Sequence, residues 1–119
     1  MSLLTPKPRK FETGILVVTD DITNMMENEK FKTFVYASFI RYCANDWGNI
    51  ENSDKKINRQ NLKHGGNLGG RYIDEENNWE IWILTSASRD RTIITLPNKT
   101  VDQRRAEAGD LGGNDLGDK

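Results

Sequence analysis

Three β-rich segments with short turns between them constrain the fold of this chain more than any other feature. They are residues 68–73, 79–85 and 92–96, with turn-forming residues at 74–78 and 86–90. A parallel connection between neighbouring strands needs a crossover of about a dozen residues, and these turns are too short for one. The segments therefore predict a three-stranded antiparallel meander. Apolar side chains, Trp79 and Trp82 among them, alternate onto both faces of the middle strand, which indicates either a central position in the sheet or one face that docks a partner.

The first half of the chain predicts one strand followed by helices. Residues 14–19 form a short apolar run, which favours a strand buried on both faces. Residues 22–27 predict a single helical turn, and apolar residues at three- and four-residue steps predict a helix over 30–44. A polar helix is expected over 54–64, with Asn52 or Ser53 as its N-cap and two glycines at its end. The predicted class is α+β, with one N-terminal strand, two helices packed on the sheet and the antiparallel meander.

Both ends of the chain are expected to be tails. Only 35% of the 119 residues are hydrophobic, and the mean hydropathy is -0.74. Residues 1–10 and 98–119 contain few large apolar groups, so we expect a flexible N-terminal tail, a single α+β domain over 11–97 and a disordered C-terminal tail. No apolar run is long enough for a signal peptide or a membrane span, and a single cysteine allows no internal disulfide. These features favour a cytoplasmic protein.

Candidates for catalysis are few. His64 is the only histidine and follows the polar helix, where a cation interacts favourably with the last carbonyls. Cys43 lies in an apolar helix and is interpreted as a core residue. The glycines at 65–70 follow a helix and precede a strand, which is the wrong order for a phosphate-binding loop. They are interpreted as a helix end and a close backbone approach, under Trp47. We expect no catalytic residue, no cofactor and no metal site.

The charge distribution suggests a binding surface. The net charge is only -1, but residues 30–64 hold seven Lys and Arg against three Asp and Glu, and residues 72–80 are acidic. A polarised domain of this kind is suited to electrostatically steered binding. Arg and Trp are common interface anchors, so the predicted partner-binding residues combine the basic helix with nearby Arg and Trp: Arg89, Arg91, Trp47, Lys55, Lys56, Arg59 and Lys63.

An ordered set of short motifs resembles a family of small accessory proteins carried on bacterial plasmids and conjugative elements. The set consists of Phe11–Gly14, Asp46-Trp47-Gly48, Asp54-Lys55, Asn58, Trp82–Thr85, Arg89 and Thr92–Pro97. The chain departs from the family pattern at Asn45, at Gly69-Gly70, at Ser86 and at Asn98-Lys99. The resemblance implies an accessory role on mobile DNA.

Three functions follow from combining the resemblance with the charge pattern. The first is a non-enzymatic protein that binds and inhibits a host defence nuclease or its nucleoprotein complex, as an anti-CRISPR or anti-restriction protein. This function predicts that Arg89→Glu or Lys55→Glu weakens binding and leaves folding intact. The second is a nucleic-acid-binding protein of plasmid maintenance or transfer. The third is a small metal-dependent nuclease that uses Asp46 and Asp54.

Overall fold

A computed structural model describes residues 10–97 of the protein. The order of elements is β1 (Ile15–Val18), α1 (Asp20–Met25), α2 (Glu29–Cys43), α3 (Asn52–His64), β2 (Leu68–Asp74), β3 (Trp79–Thr85) and β4 (Arg91–Thr95). The predicted α+β class is confirmed. The tails predicted at 1–10 and 98–119 lie outside the described residues, except for Lys10.

The four strands form one mixed sheet in the order β1-β4-β3-β2. Strands β2, β3 and β4 pair antiparallel in sequence order, which confirms the meander and the central position of β3. Strand β1 pairs parallel with β4, and Ile15 lies opposite Arg91. The two edges of the sheet are therefore β1 and β2.

The main core lies between α2 and one face of the sheet. Helix α2 begins after Asn28, whose side chain accepts hydrogen bonds from the amides of Lys30 and Phe31, and this arrangement satisfies two of the free amides of the first turn. The predicted apolar stripe is confirmed, because its residues pack on β2, β3 and β4. The buried side chains of this core include Phe31, Val35, Phe39, Tyr42, Tyr72, Ile81, Ile83 and Ile94. On the opposite face Leu84 and Ile93 form a smaller cluster with Val17 and Trp82.

Helix α3 covers the core and contributes little to it. Its N-cap is Glu51, one residue before the predicted Asn52 or Ser53, and Glu51 makes no side-chain capping bond. Asn58 is its one buried residue, and the helix lies against β2. It ends before Gly65, which has a φ of 87° that favours glycine.

The prediction that β1 is buried on both faces is wrong. Ile15 is 65% exposed and Leu16 is 36% exposed, because β1 is an edge strand with a neighbour on one side only. The run is apolar for a different reason. Val18 packs against the main core on one face of the sheet, and Val17 packs against the smaller cluster on the other face. Both faces of this edge strand therefore require apolar side chains.

None of the helices between residues 10 and 97 has the length and apolar composition needed to cross a bilayer.

Candidate binding surface

The Asp46-Trp47-Gly48 motif is a loop that pairs with the outer side of β2. The Gly48 and Arg71 backbones form a parallel bridge. The Arg71 amide donates to the Trp47 carbonyl at 3.1 Å, and the Asn49 amide donates to the Arg71 carbonyl at 2.6 Å. Gly48 has a φ of 76°, and a Cβ at this position would clash with the Arg71 carbonyl oxygen and the Tyr72 ring. Glycine is therefore required there by both conformation and space.

Asp46 holds the loop in this conformation through both carboxylate oxygens. Its Oδ2 accepts from Arg41 Nε at 2.8 Å, and its Oδ1 accepts from Arg41 Nη2 at 3.2 Å and from the Gly48 amide at 3.1 Å. The hydrogen bond from Arg41 lowers the pKa of Asp46, and the charge of Lys55 contributes to the same effect. Both oxygens have partners, so Asp46 is poorly suited to the metal-ligand role of the nuclease hypothesis.

Trp47 lies in the core and is not available as an interface anchor. It is 5% exposed, and its ring packs at 5.4 Å from Tyr42 and 5.9 Å from Phe11. Its prediction as a partner-binding residue is therefore corrected. The interpretation of the motif as a loop with its indole fixed at the core edge is confirmed.

Arg89 is also a structural residue. It adopts a φ of 64°, and its guanidinium donates to the carbonyls of Gly66 at 2.6 Å, Ser86 at 2.9 Å and Asn61 at 3.0 Å. The contact with Asn61 places a cation at the negative end of α3, which is stabilising. Arg89 therefore ties α3 to the turn between β3 and β4. The prediction that Arg89→Glu leaves folding intact is inconsistent with these contacts, and we remove Arg89 from the binding surface.

Arg91 lies away from the basic helix. It is half-buried on β4 beside Ile15, whereas α3 packs on β2 at the other side of the sheet. Its Nε is buried and has no hydrogen-bond partner among residues 10–97. The structure therefore separates Arg91 from the other predicted cations.

The remaining four predicted residues lie together on α3. Lys56, Arg59 and Lys63 line a shallow groove with Gln60 and His64. Lys55 and Arg59 line a second groove, which continues to the Asp46-Trp47-Gly48 loop. Arg59 belongs to both grooves, so the four cations form one continuous surface. We call this surface the α3 basic face and define it as Lys55, Lys56, Arg59 and Lys63.

The cations of the α3 basic face have no carboxylate partner in the part of the chain that the structure describes. Two ion pairs form between residues 10 and 97, Arg41 with Asp46 and Arg71 with Glu80. Lys55 and Arg59, and Arg59 and Lys63, are four residues apart and hence neighbours on the helix surface. Like charges at this spacing destabilise an isolated helix by roughly 0.2–0.5 kcal/mol per pair. The repulsion between these neighbouring cations therefore does not stabilise the helix that carries them.

Sequence reasoning missed the asparagines that attach α3 and the loop to β2. The side-chain Nδ2 of Asn58 donates to the Gly69 carbonyl at 2.8 Å, and its Oδ1 accepts from the Gly69 backbone amide at 3.2 Å. Asn61 donates to the Asn67 carbonyl, and the Asn49 side chain accepts from the Ile73 amide. The only sequence signal is the spacing of Asn58 and Asn61, which places both amides on one side of an otherwise charged helix.

The other candidates for chemistry have structural positions. Cys43 is buried at 5% exposure, which confirms its interpretation as a core residue, and His64 is the exposed last residue of α3. The atoms nearest to a Cβ at Gly70 belong to Tyr42 and Tyr72, so this glycine allows a close approach to those two rings. Among residues 10–97, no cluster of three or more His, Cys, Asp or Glu side chains could hold a metal ion.

Comparisons with known proteins found no match to this chain among family models, curated proteins or solved structures.

Proposed function

We propose that this protein is a non-enzymatic, cytoplasmic binding protein that uses the α3 basic face to dock on a polyanionic surface. The observation that carries the proposal is the group of four adjacent cations without an ion-pair partner among the described residues. In its most concrete form, the protein is an accessory factor of a mobile genetic element that inhibits a host defence nuclease of the CRISPR or restriction type. Its partner is the nuclease or the nuclease–nucleic acid complex.

The position of the cations within α3 supports a role in binding. Lys63 lies in the last turn, where a positive charge interacts favourably with the helix dipole. Lys55 lies in the first turn of the helix, where the dipole disfavours a positive charge. The helix dipole therefore does not account for a lysine at this position, whereas attraction of an anionic partner does.

The attachment of α3 supports the same proposal. Asn58, Asn61 and Arg89 hold the inner side of the helix to β2 and to the β3–β4 turn. A partner that binds the outer side therefore meets cations on a helix that is already positioned. Less entropy is lost when a preorganised surface binds.

The second candidate is a nucleic-acid-binding protein of plasmid maintenance or transfer. The same four cations favour it, because Lys and Arg that neutralise phosphates release condensed counterions. This function predicts binding of purified duplex DNA or RNA with an affinity that falls steeply with salt, at about 0.9 logarithmic units per phosphate contact and tenfold increase in salt.

The test compares two charge-matched double variants of the full chain in affinity purification from a bacterial host. Lys56→Glu/Arg59→Glu reverses the centre of the α3 basic face, and Lys10→Glu/Lys30→Glu makes the same change in charge at exposed lysines elsewhere. A glutamate at position 59 lies four residues from both Lys55 and Lys63, so new ion pairs are expected to maintain the helix. Circular dichroism checks the fold of both variants.

Three outcomes separate the possibilities. The inhibitor is supported if wild type and the Lys10/Lys30 variant recover a nuclease that the Lys56/Arg59 variant does not recover. Recovery of this nuclease must also persist after nucleic acid has been digested. Recovery of nucleic acid alone, abolished by digestion, supports the second candidate. Equal recovery by all three proteins contradicts a role for the α3 basic face.

A further inference from the structure

The outer side of β1 carries backbone groups that have no strand partner among the described residues. The Ile15 amide donates to the Asp90 carbonyl at 3.0 Å, and the Thr19 amide donates to the Ile94 carbonyl at 3.1 Å. Backbone groups alternate in direction along a strand, so the amides and carbonyls of Leu16 and Val18 point away from β4. Between residues 10 and 97, no strand lies beyond β1 on this side.

Strand β1 has only four residues, but within the described residues its edge lacks the other features that usually prevent strand addition. Protected edges contain charged residues, proline, bulges or a covering loop. Strand β1 consists of Ile-Leu-Val-Val, and Ile15 and Leu16 are two of the three exposed large hydrophobic residues in the described range. Such an edge can accept another extended strand by main-chain hydrogen bonding.

We infer that β1 pairs antiparallel with β1 of a second copy of this chain, about a twofold axis at Val17. In this register Leu16 exchanges two hydrogen bonds with Val18 of the second copy, and the symmetric pair does the same. Among the antiparallel self-pairings about a twofold axis, this register places both hydrogen-bonded pairs within the four residues of β1. No charge lies in β1, so no like charges oppose each other across the axis. The dimer contains one continuous sheet, and its interface is isologous.

Charges at the two ends of β1 favour a second copy as the occupant. Asp20 and Asp21 follow the strand directly, and Arg91 lies beside its first residue, Ile15. Antiparallel pairing brings the acidic end of each copy to the end where Arg91 of the other copy lies. Among the described residues the Nε of Arg91 has no hydrogen-bond partner, and the assembly brings carboxylates to the end of the strand that carries this cation. This inference does not depend on the function proposed for α3, which lies at the other edge of the sheet.

The first test is sedimentation equilibrium of the full chain from micromolar to millimolar concentration. We expect a concentration-dependent dimer for wild type. Leu16→Lys places two positive charges diagonally across the twofold axis on the same face of the sheet and removes two apolar side chains from the interface, so it is expected to raise the dimer dissociation constant about tenfold or more. Ile57→Lys is the matched control, because Ile57 is 45% exposed on α3, and its dissociation constant should equal that of wild type.

Mixing opposite charges tests the self-pairing directly. Leu16→Lys and Leu16→Glu should each be mainly monomeric, and an equimolar mixture should form a heterodimer because the charges across the axis are then opposite. A wild-type chain that stays monomeric over the whole concentration range, or a mixture that remains monomeric, overturns the inference. Dimers that resist Leu16→Lys but dissociate with Ile57→Lys also overturn it, since they place the interface on α3.

Cross-linking tests the register independently of affinity. Residue 17 lies on the proposed axis as a non-hydrogen-bonded pair, where Cα atoms about 4.5 Å apart permit a disulfide. Val17→Cys should therefore form a covalent dimer under mild oxidation, and Ile57→Cys should not. The native Cys43 is buried and should not react. Absence of the Val17→Cys dimer while the Ile57→Cys dimer forms contradicts the proposed axis.

Discussion

The two edges of the sheet differ in how their backbone groups are satisfied. Along β2, the residues that face outward bond to Asn58, Asn49 and the Trp47–Gly48 loop, so that little of the edge is free. Along β1, no described element covers the outward groups of Leu16 and Val18. An open edge is a template for association. The comparison teaches that side-chain amides protect the edge next to the α3 basic face, whereas the edge at β1 is available for pairing.

The largest expected effect comes from disrupting the contact between the Asp46-Trp47-Gly48 loop and β2 at Gly48. Gly48→Val introduces a β-branched side chain at a φ of 76° and against the Arg71 carbonyl. We expect the free energy of unfolding to fall by about 3 kcal/mol or more, from strain and overpacking together. Urea denaturation measures the change.

Gly65→Val is the control for this prediction. Gly65 also has a positive φ, but a Cβ there meets no atom within 4 Å. The decrease in the free energy of unfolding for Gly65→Val should therefore reflect backbone strain alone, about 1–2 kcal/mol. Equal losses at the two glycines would mean that the contact between the loop and β2 contributes nothing.

A smaller loss is expected when Asn58 is removed. Asn58→Ala leaves both backbone groups of Gly69 without a partner in a half-buried position, and it should lower the free energy of unfolding by about 2 kcal/mol. Hydrogen exchange should be faster at the Gly69 amide and unchanged in the centre of β3. Gln60→Ala, on the exposed side of the same helix, should change stability by less than about 0.5 kcal/mol.

The Asp46–Arg41 pair predicts a weak dependence of stability on pH. Arg41 lowers the pKa of Asp46 in the folded state, so the pair stabilises the fold above the unfolded pKa of about 3.9, and this contribution is lost as pH falls through the folded pKa. Both side chains are about half exposed, so solvent screening limits the contribution to less than about 1 kcal/mol.

Asp46→Asn tests this dependence. The variant should be less stable than wild type at neutral pH, and the difference should disappear toward pH 2, as measured by thermal unfolding at a series of pH values. A difference that persists unchanged in acid would show that the effect does not come from the charge of Asp46.

The smallest effect is expected at the open edge. Ile15→Ala should change the free energy of unfolding of the monomer by less than about 0.5 kcal/mol, since Ile15 is 65% exposed. Denaturation at low protein concentration measures the monomer. A loss above about 1 kcal/mol would show that Ile15 contributes to the core and would weaken the contrast between the edges.

The sequence predicted the elements that depend on local patterns. Helix α2 and strands β2, β3 and β4 were found because each has a clear apolar period and turn residues at its ends. The position of β1 was not found. Strand β1 pairs with β4 because the outer edge of β4 is unpaired within the meander. No local pattern in the sequence indicates which edge of the meander β1 will join.

The candidate site was predicted only in part. Lys55, Lys56, Arg59 and Lys63 were predicted together because helical spacing is local. Arg89 and Trp47 were misinterpreted because the residue types that anchor interfaces are also suited to capping carbonyls and filling cores. The asparagine contacts to β2 were missed because a side-chain amide that pairs with a distant backbone leaves no periodic signal.

The parallel pairing of β1 with β4 has a consequence for how the protein folds. The first strand of the sheet finds its only described neighbour in the last one, so the sheet is complete only after the chain has closed its longest loop. Long-range pairing slows folding, and during synthesis the apolar β1 emerges from the ribosome well before β4 exists. The meander contains only local pairings, so we expect it to form first and β1 to dock late in folding.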